Sequence, residues 1–152
     1  MLRYSKAGLQ LTESFEGCRL AAYQDSGGVW TIGYGHTRGV YPGMTCTQAQ
    51  AEAWLMEDLA HAERVVHQRV RVPLDQLEYD ALVDFEFNTG ALSLGESGCA
   101  VLRLLNAGDY LGASAHFDDW VKCKGRVLAG LMRRRGAEQA LFDRELPRQS
   151  VN

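Results

Sequence analysis

Apolar residues recur at helical spacing over most of the chain after residue 47. At the start of this region Thr47 and Gln50 have the spacing of a capping box, in which each side chain satisfies a backbone N–H of the first helical turn. The apolar positions that follow keep one helical face: Ala51, Trp54, Leu55, Leu59, Ala62 and Val66. The pattern predicts a long helix over about 47–70 with a single apolar stripe, which is typical of a helix that connects two lobes.

More helices are predicted after Pro73. Asp75 is a good N-cap for the first of them, and Gly90 is a natural end for it. The others are predicted at about 98–106, 109–121 and 128–142. Together these segments predict a helical lobe over about 73–143.

The chain before residue 47 follows two other patterns. Ala7, Leu11 and Phe15 recur every four residues, which predicts one apolar face on a helix over 5–16 that Gly17 ends. Glu16 then lies in the last helical turn.

Two short strands are predicted next, over 20–24 and 29–35. The four residues Asp25-Ser26-Gly27-Gly28 between them have the composition of a tight turn. In such a hairpin Thr31 lies on the strand that returns past Asp25, so the two side chains are expected to share a site.

These elements predict an α+β fold in a single domain over 1–152. It has a lobe containing the strands at about 13–46, the connecting helix at about 47–70 and the helical lobe at about 73–143, onto which the N-terminal helix packs. The polar tail from Arg144 onward is expected to fray.

Composition narrows the class of protein. The chain has 152 residues, 46% apolar and 23% charged, which is ordinary for a soluble globular domain. A net charge of −3 disfavours a dedicated nucleic-acid binder. Neither a membrane-spanning apolar run nor a secretory signal is evident, so we expect a cytoplasmic chain without stable membrane association.

The cysteines and histidines do not indicate a metal site. The four cysteines are scattered without a C-x-x-C pair, and cytoplasmic cysteines are free thiols by default, although three disulfide pairings stay formally open. They are Cys18, Cys46, Cys99 and Cys123. The histidines lack an i, i+4 partner, so no metal and no cofactor are expected.

The stretch from Glu16 to His36 carries the candidate chemistry. Glu16 and Asp25 are two carboxylates in different surroundings, and Thr31 adds a hydroxyl. A carboxylic acid, a second carboxylate and a group that holds water are what acid/base cleavage of a glycosidic bond requires.

Motifs in this stretch and beyond it resemble one known family. They are S-F-E-G at 14–17, Y-Q-D at 23–25, W-T-I-G-Y-G-H-T at 30–37, A-L-V-D-F-E-F-N-T-G at 81–90, L-N-A-G-D-Y at 105–110 and L-A-G-L-M-R-R-R at 128–135. Together they resemble the phage-type lysozymes, or endolysins, of glycoside hydrolase family 24. The resemblance runs from about Ser5 to Phe142.

The resemblance implies a muramidase that cleaves peptidoglycan and lyses the bacterial host. Glu16 would be the general acid, Asp25 would stay ionised to activate water or stabilise positive charge, and Thr31 would hold that water or align Asp25. A monomer is implied, which waits in the host cytoplasm for release by a holin and then acts on the cell wall in the periplasm.

The resemblance also implies supporting residues. From its place in G-Y-G-H, His36 could act on protons, but it is expected instead to tie the hairpin to the helical lobe through a buried hydrogen bond or ion pair. Asn88 either caps the end of its helix or contacts substrate. Arg134 matches the family arginine that approaches the catalytic glutamate.

The remaining charged residues are interpreted as surface residues. Asp84 and Glu86 are expected on a solvated helix face. The run from Val121 to Arg135 has a local charge of +6, and apart from Arg134 its basic residues are expected to be solvated and able to steer the protein to an anionic wall.

Two other functions stay open. A lytic transglycosylase would use one acid and no water, and a glycan-binding module would have lost catalysis. Asp25 and Thr31 beside Glu16 favour hydrolysis over both.

Overall fold

The computed structural model describes residues 1–144, and these form an α+β fold, as predicted. Its helices and strands are α1 Lys6–Glu16, β1 Arg19–Gln24, β2 Trp30–Gly33, α2 Gln48–Arg69, α3 Gln76–Thr89, α4 Ala100–Asn106, α5 Tyr110–Ala115, β3 Lys122–Cys123, β4 Arg126–Val127 and α6 Ala129–Phe142. Short 3₁₀ turns lie at Leu92–Leu94 and His116–Asp119. The tail predicted to fray begins at Arg144, and its residues 145–152 lie outside the described residues.

The predicted hairpin is present as the antiparallel pair β1–β2. Tyr23 lies opposite Thr31. The connecting turn is closed by the Asp25 N–H donating to Val29 O at 2.9 Å and the Gly28 N–H donating to Asp25 O at 2.9 Å. Asp25 therefore sits at the turn, two residues beyond the partner of Thr31.

Helix α2 follows its predicted stripe. The Thr47 and Gln50 capping box is formed in both directions. The side chains buried along it are Ala51, Leu55, Leu59, Ala62, Val65 and Val66. This face packs on the hairpin at its start and on α3 further along, so α2 joins the two parts of the molecule.

Helix α3 is the centre of the helical part. It packs against α1, α2 and α6, which leaves it buried on nearly every side. An aromatic cluster extends the core from it, because Phe85 packs edge-on against Phe117 at 4.7 Å and Phe117 against Phe142 at 5.6 Å. Such T-shaped pairs add to the stabilisation that burial gives.

Two predictions about which helix faces are buried were wrong, one on α1 and one on α3. In both helices polar contacts determine which side chains point inward. On α1 the residues of the predicted apolar face are not the buried ones: Ala7 is exposed, Leu11 and Phe15 are half-buried, and Gly8 and Thr12 are buried instead. Thr12 donates a hydrogen bond to Asp84 Oδ1 at 2.7 Å, which turns this side of α1 toward α3.

Asp84 and Glu86 do not lie on a solvated face. Both are buried, with 0% and 4% of their surface exposed. Glu86 Oε2 accepts from the Leu92 N–H at 2.7 Å, and its other oxygen accepts from the Ser93 hydroxyl. Because neighbouring segments cover α3 on all sides, its carboxylates are paired within the protein instead of being solvated.

The region after residue 109 also differs from the prediction. The helix expected over 109–121 ends at Ala115 and continues as a 3₁₀ turn. The β3–β4 hairpin was not predicted, and its exposed residues Lys122, Lys124 and Arg126 are called the basic hairpin below. Arg135 was expected on the surface but is fully buried on α6.

Candidate active site

A cleft of about 490 Å³ lies between the β1–β2 hairpin and the helical part. Its walls come from the end of α1, the hairpin, the middle of α2 and the end of α3. Four of the predicted site residues line it: Glu16, Asp25, Thr31 and Asn88. Their convergence follows from the fold, since the hairpin turns back toward the helix end that carries Glu16.

Glu16 is held between an arginine and a glycine. Arg134 Nη1 donates to Glu16 Oε1 at 2.5 Å, and 17% of the Glu16 side chain is exposed. A Cβ at Gly35 would lie 2.5 Å from Glu16 Oε2, and Gly35 has a φ of +78°. Only glycine satisfies both requirements, so Oε2 faces the hairpin side of the cleft.

The Arg134 guanidinium is itself held in place by Asp84. It donates to Asp84 through Nε at 3.0 Å and through Nη2 at 2.9 Å, which is the bidentate geometry that an arginine fork favours. Burial acts to lower the pKa of Arg134, but the hydrogen bonds and charges of Asp84 and Glu16 outweigh it, and the net shift is upward. Arg134 is therefore a permanent cation against the Glu16 carboxyl.

Asp84 is the anion that balances this cation. Burial acts to raise the pKa of the Asp84 carboxyl, but the hydrogen bonds and charge of Arg134 lower it below its usual range. Glu138 lies 3.9 Å from Arg134 Nε and has no exposed surface. Burial raises the pKa of Glu138 well above its usual value, and the neighbouring carboxylate of Asp84 adds to the rise.

Asp25 is oriented by the turn that it begins. Its Oδ1 accepts from the N–H groups of Gly27 and Val29, both at 2.8 Å. The two bonds fix the plane of the carboxylate at an exposed position. They leave Oδ2 without a hydrogen bond from any of the described residues.

Thr31 is tied to the same backbone residue as Asp25. Its hydroxyl donates to Val29 O at 2.9 Å, and only 3% of Thr31 is exposed. Val29 thus binds Asp25 through its N–H and Thr31 through its carbonyl. Because the hydroxyl proton of Thr31 is committed, its oxygen is left to accept a hydrogen bond from the cleft.

His36 stands outside the lining of the cleft. Its Nδ1 lies 2.9 Å from Asp58 Oδ2, and its ring stacks on Trp54 at 4.7 Å with planes 6° apart. Both partners are on α2. The predicted buried contact of His36 is present as this short Nδ1–Oδ2 contact, but it ties the hairpin to the connecting helix and not to the helices after it.

Asn88 lies one residue before the end of α3. Its Oδ1 accepts from Arg135 Nη2 at 2.6 Å. The side chain is half-buried and lines the cleft on the side opposite the hairpin. Its role as a helix cap is not supported, because it is inside α3 and Gly90 is the C-cap.

Sequence reasoning missed the buried charges that support this site, above all Arg135 and Glu138. A signal was present on α6, where Glu138 follows Arg134 by four residues and Arg135 by three, since side chains at these spacings share a helix face. The pattern was ambiguous because an exposed helix shows the same spacing.

The cysteines are free thiols. Cys123, on the basic hairpin strand β3, places its Sγ 3.9 Å from Ser26 Oγ in the turn that carries Asp25. Strand β3 therefore lies close to the turn that carries Asp25. Within residues 1–144 no group of three or more His, Cys, Asp or Glu side chains is arranged to hold a metal ion.

The chain is similar to phage lysozymes in sequence. The phage lysozyme family profile matches residues 13–138. An endolysin of Acyrthosiphon pisum secondary endosymbiont phage 1 is 45% identical over 93% of this chain and 99% of its own length.

Two solved structures are similar over nearly all of both chains. The muramidase domain of SpmX from Asticaccaulis excentricus has a TM-score of 0.82 at 39% identity, covering 93% of this chain and 98% of that one. The active form of the P1 phage endolysin Lyz has a TM-score of 0.83 at 31% identity, covering 97% and 89%.

Proposed function

The chain belongs to the phage lysozyme family, and we propose that it is an endolysin. In this proposal it is a muramidase that hydrolyses the β-1,4 bond between N-acetylmuramic acid and N-acetylglucosamine in bacterial peptidoglycan. The observation that carries the proposal is the convergence of Glu16 with Asp25 and Thr31 on one cleft.

Glu16 is the general acid of the proposed reaction. It donates its proton to the glycosidic oxygen as the bond from that oxygen to the anomeric carbon breaks. Arg134 then stabilises the carboxylate that remains, because its guanidinium contacts Oε1 at 2.5 Å. The same contact orients the carboxyl before the proton is transferred.

Asp25 and Thr31 prepare the water. The free Oδ2 of Asp25 takes a proton from a water molecule, whose oxygen attacks the anomeric carbon. Thr31 accepts a hydrogen bond from the second hydrogen of that water, which stays on its oxygen, since the proton of the Thr31 hydroxyl is committed to Val29 O. A water held by two acceptors has its oxygen lone pair directed away from both.

A Glu16→Gln variant tests the acid. We expect the rate of lysis of permeabilised cells, followed by turbidity, to fall roughly 10²- to 10⁴-fold. Glu13→Gln is the matched control, because Glu13 lies one turn earlier on α1 and outside the cleft. Equal loss in both variants, or none in Glu16→Gln, would refute the assignment and favour a module without catalysis.

Product analysis separates hydrolysis from transglycosylation. We expect mass spectrometry of digested peptidoglycan to show reducing muramic acid ends, which require the addition of water. Exclusively 1,6-anhydro ends would identify a lytic transglycosylase and remove the proposed roles of Asp25 and Thr31.

We further propose that the protein acts as a monomer and stays in the host cytoplasm until a holin opens the membrane. No helix in the described part of the chain is long and apolar enough to span a bilayer. Expression inside a host should then cause lysis only after the membrane is permeabilised. Lysis without permeabilisation would refute holin dependence.

A further inference from the structure

We infer that Arg135 and Glu138 are positioning residues that hold the Asn88 amide with its NH₂ group toward the cleft, where it donates to an oxygen of the glycan. The acceptor is a hydroxyl or an acetamido carbonyl of a sugar ring. The inference rests on the proposed function for its ligand, but its geometry is independent of the catalytic carboxylates.

The orientation of the amide is set by the chemistry of its partner. A guanidinium has donors only, so the atom of Asn88 that meets Arg135 Nη2 at 2.6 Å must be the carbonyl oxygen. The NH₂ group then points away from Arg135. It donates to no other group within the described residues and is not fully buried, which leaves its two protons available to a ligand.

Arg135 is buried and held by several contacts besides Asn88. It has no exposed surface, and its Nη2 also donates to Glu138 Oε1 at 2.9 Å. Its Nη1 donates to Trp120 O at 3.3 Å, and its guanidinium lies 5.4 Å from the ring centroid of Phe85. An arginine held in this way cannot follow Asn88 if the amide rotates, so it selects one of the two amide orientations.

A buried ion pair is weak support for stability, because burying two charges offsets much of their attraction. Arg135 and Glu138 are both fully buried. The Asn88 amide is the group through which this pair reaches the cleft. An orienting role therefore explains a feature that stability alone explains poorly.

Two substitutions of Asn88 test the donor. Asn88→Ala removes the amide, whereas Asn88→Asp keeps an oxygen for Arg135 and replaces the NH₂ donors by an acceptor. We expect both to raise KM on peptidoglycan roughly 3- to 10-fold, the value of one hydrogen bond, with a smaller change in kcat. An unchanged KM in both variants would overturn the inference.

Arg135→Lys tests the positioning role, because lysine keeps the charge for Glu138 but lacks the fork that also reaches Asn88. We expect KM to rise as in Asn88→Ala, and the double variant to be no worse than either single one. Arg133→Lys, the same change at the exposed preceding residue, should leave KM unchanged. Additive effects in the double variant would assign Arg135 a structural role only.

Binding measured without turnover separates this inference from the proposed function. In the Glu16→Gln background, calorimetry with a β-1,4-linked tetrasaccharide of N-acetylglucosamine should show weaker binding after Asn88→Asp by the same factor. If the wild type does not cleave peptidoglycan, the proposed function fails while this measurement still decides the inference. Equal affinity with and without Asn88→Asp would refute it even in a fully active enzyme.

Discussion

Asp84→Asn removes a fully buried charge without changing the size of the side chain. Asp84 accepts from Thr12 at 2.7 Å and from Arg134 at 2.9 and 3.0 Å. Removing one partner of a buried ion pair costs about 3–5 kcal/mol. We expect a cost of about 3 kcal/mol, the lower end of that range, because Arg134 keeps Glu16 as a second anion at 2.5 Å.

This cost converts to a large shift of the thermal midpoint. For a chain of this length 1 kcal/mol corresponds to about 2–4 °C, so Asp84→Asn should lower Tm by about 6–12 °C. The assay is thermal unfolding followed by circular dichroism at neutral pH. Glu96→Gln is the matched control, because it removes a carboxylate whose ion pair with Arg71 at 2.7 Å is exposed, and it should not move Tm measurably.

The pH dependence provides a second readout. Because the pKa of Asp84 is lower in the folded state than its ordinary value of 3.8, the unfolded chain binds this proton more readily. The contribution of Asp84 is then complete above about pH 4 and is lost as the pH falls through its folded-state pKa. The difference in Tm between wild type and Asp84→Asn should therefore shrink on acidification below pH 4.

Two results would refute this reasoning. A Tm for Asp84→Asn within 2 °C of that for Glu96→Gln, roughly the effect of under 1 kcal/mol, would mean that Arg134 is satisfied without Asp84. A difference between wild type and Asp84→Asn that stays constant from pH 7 to pH 3 would mean that the lost contribution is not the charge. Either outcome would mean that the charge of Asp84 does not hold Arg134, and through it Glu16, in place.

Three further predictions concern the cleft. Gly35→Ala should lower activity at least tenfold and destabilise the folded protein by about 1–2 kcal/mol, because the new Cβ would collide with Glu16 Oε2 at a position with a positive φ. The control is Gly136→Ala, in open space on α6, which should instead raise Tm slightly. Ser26→Cys should form a disulfide with Cys123 on oxidation and lose activity until a reductant is added, since the two side chains already lie 3.9 Å apart and the bond would tie the turn that carries Asp25 to strand β3. Retained activity with the disulfide formed would show that this turn does not have to move during catalysis. Changing the three residues of the basic hairpin to glutamine should slow lysis at low salt and flatten its salt dependence, and an unchanged salt profile would remove their steering role.

Much of the fold could be predicted because its signals are local. The α2 stripe, its capping box and the Asp25 turn each depend on residues a few positions apart. Glu16, Asp25 and Thr31 lie within sixteen residues and share one helix-hairpin unit. Their meeting at the cleft follows from the turn between the strands, and the family motifs pointed to the same three residues.

The buried charges could not be predicted because their partners are distant in the chain. Arg134 meets Asp84 across fifty positions and Glu16 across 118. A carboxylate on a helix is solvated in most proteins, so nothing local distinguishes Asp84 from an exposed acid. The error on α1 has the same origin, since Thr12 faces inward where its hydroxyl donates to Asp84, a residue distant in the chain.

The two adjacent arginines of α6 explain how one helix serves both walls of the site. Consecutive helical residues point about 100° apart, so Arg134 reaches Glu16 while Arg135 reaches Asn88. Glu138 lies beside both guanidinium groups and helps to keep Arg134 directed toward Glu16 and Arg135 directed toward Asn88. A rotation of α6 would move the acid and the amide together, and the catalytic geometry of the cleft is therefore coupled to its binding geometry through a single helix.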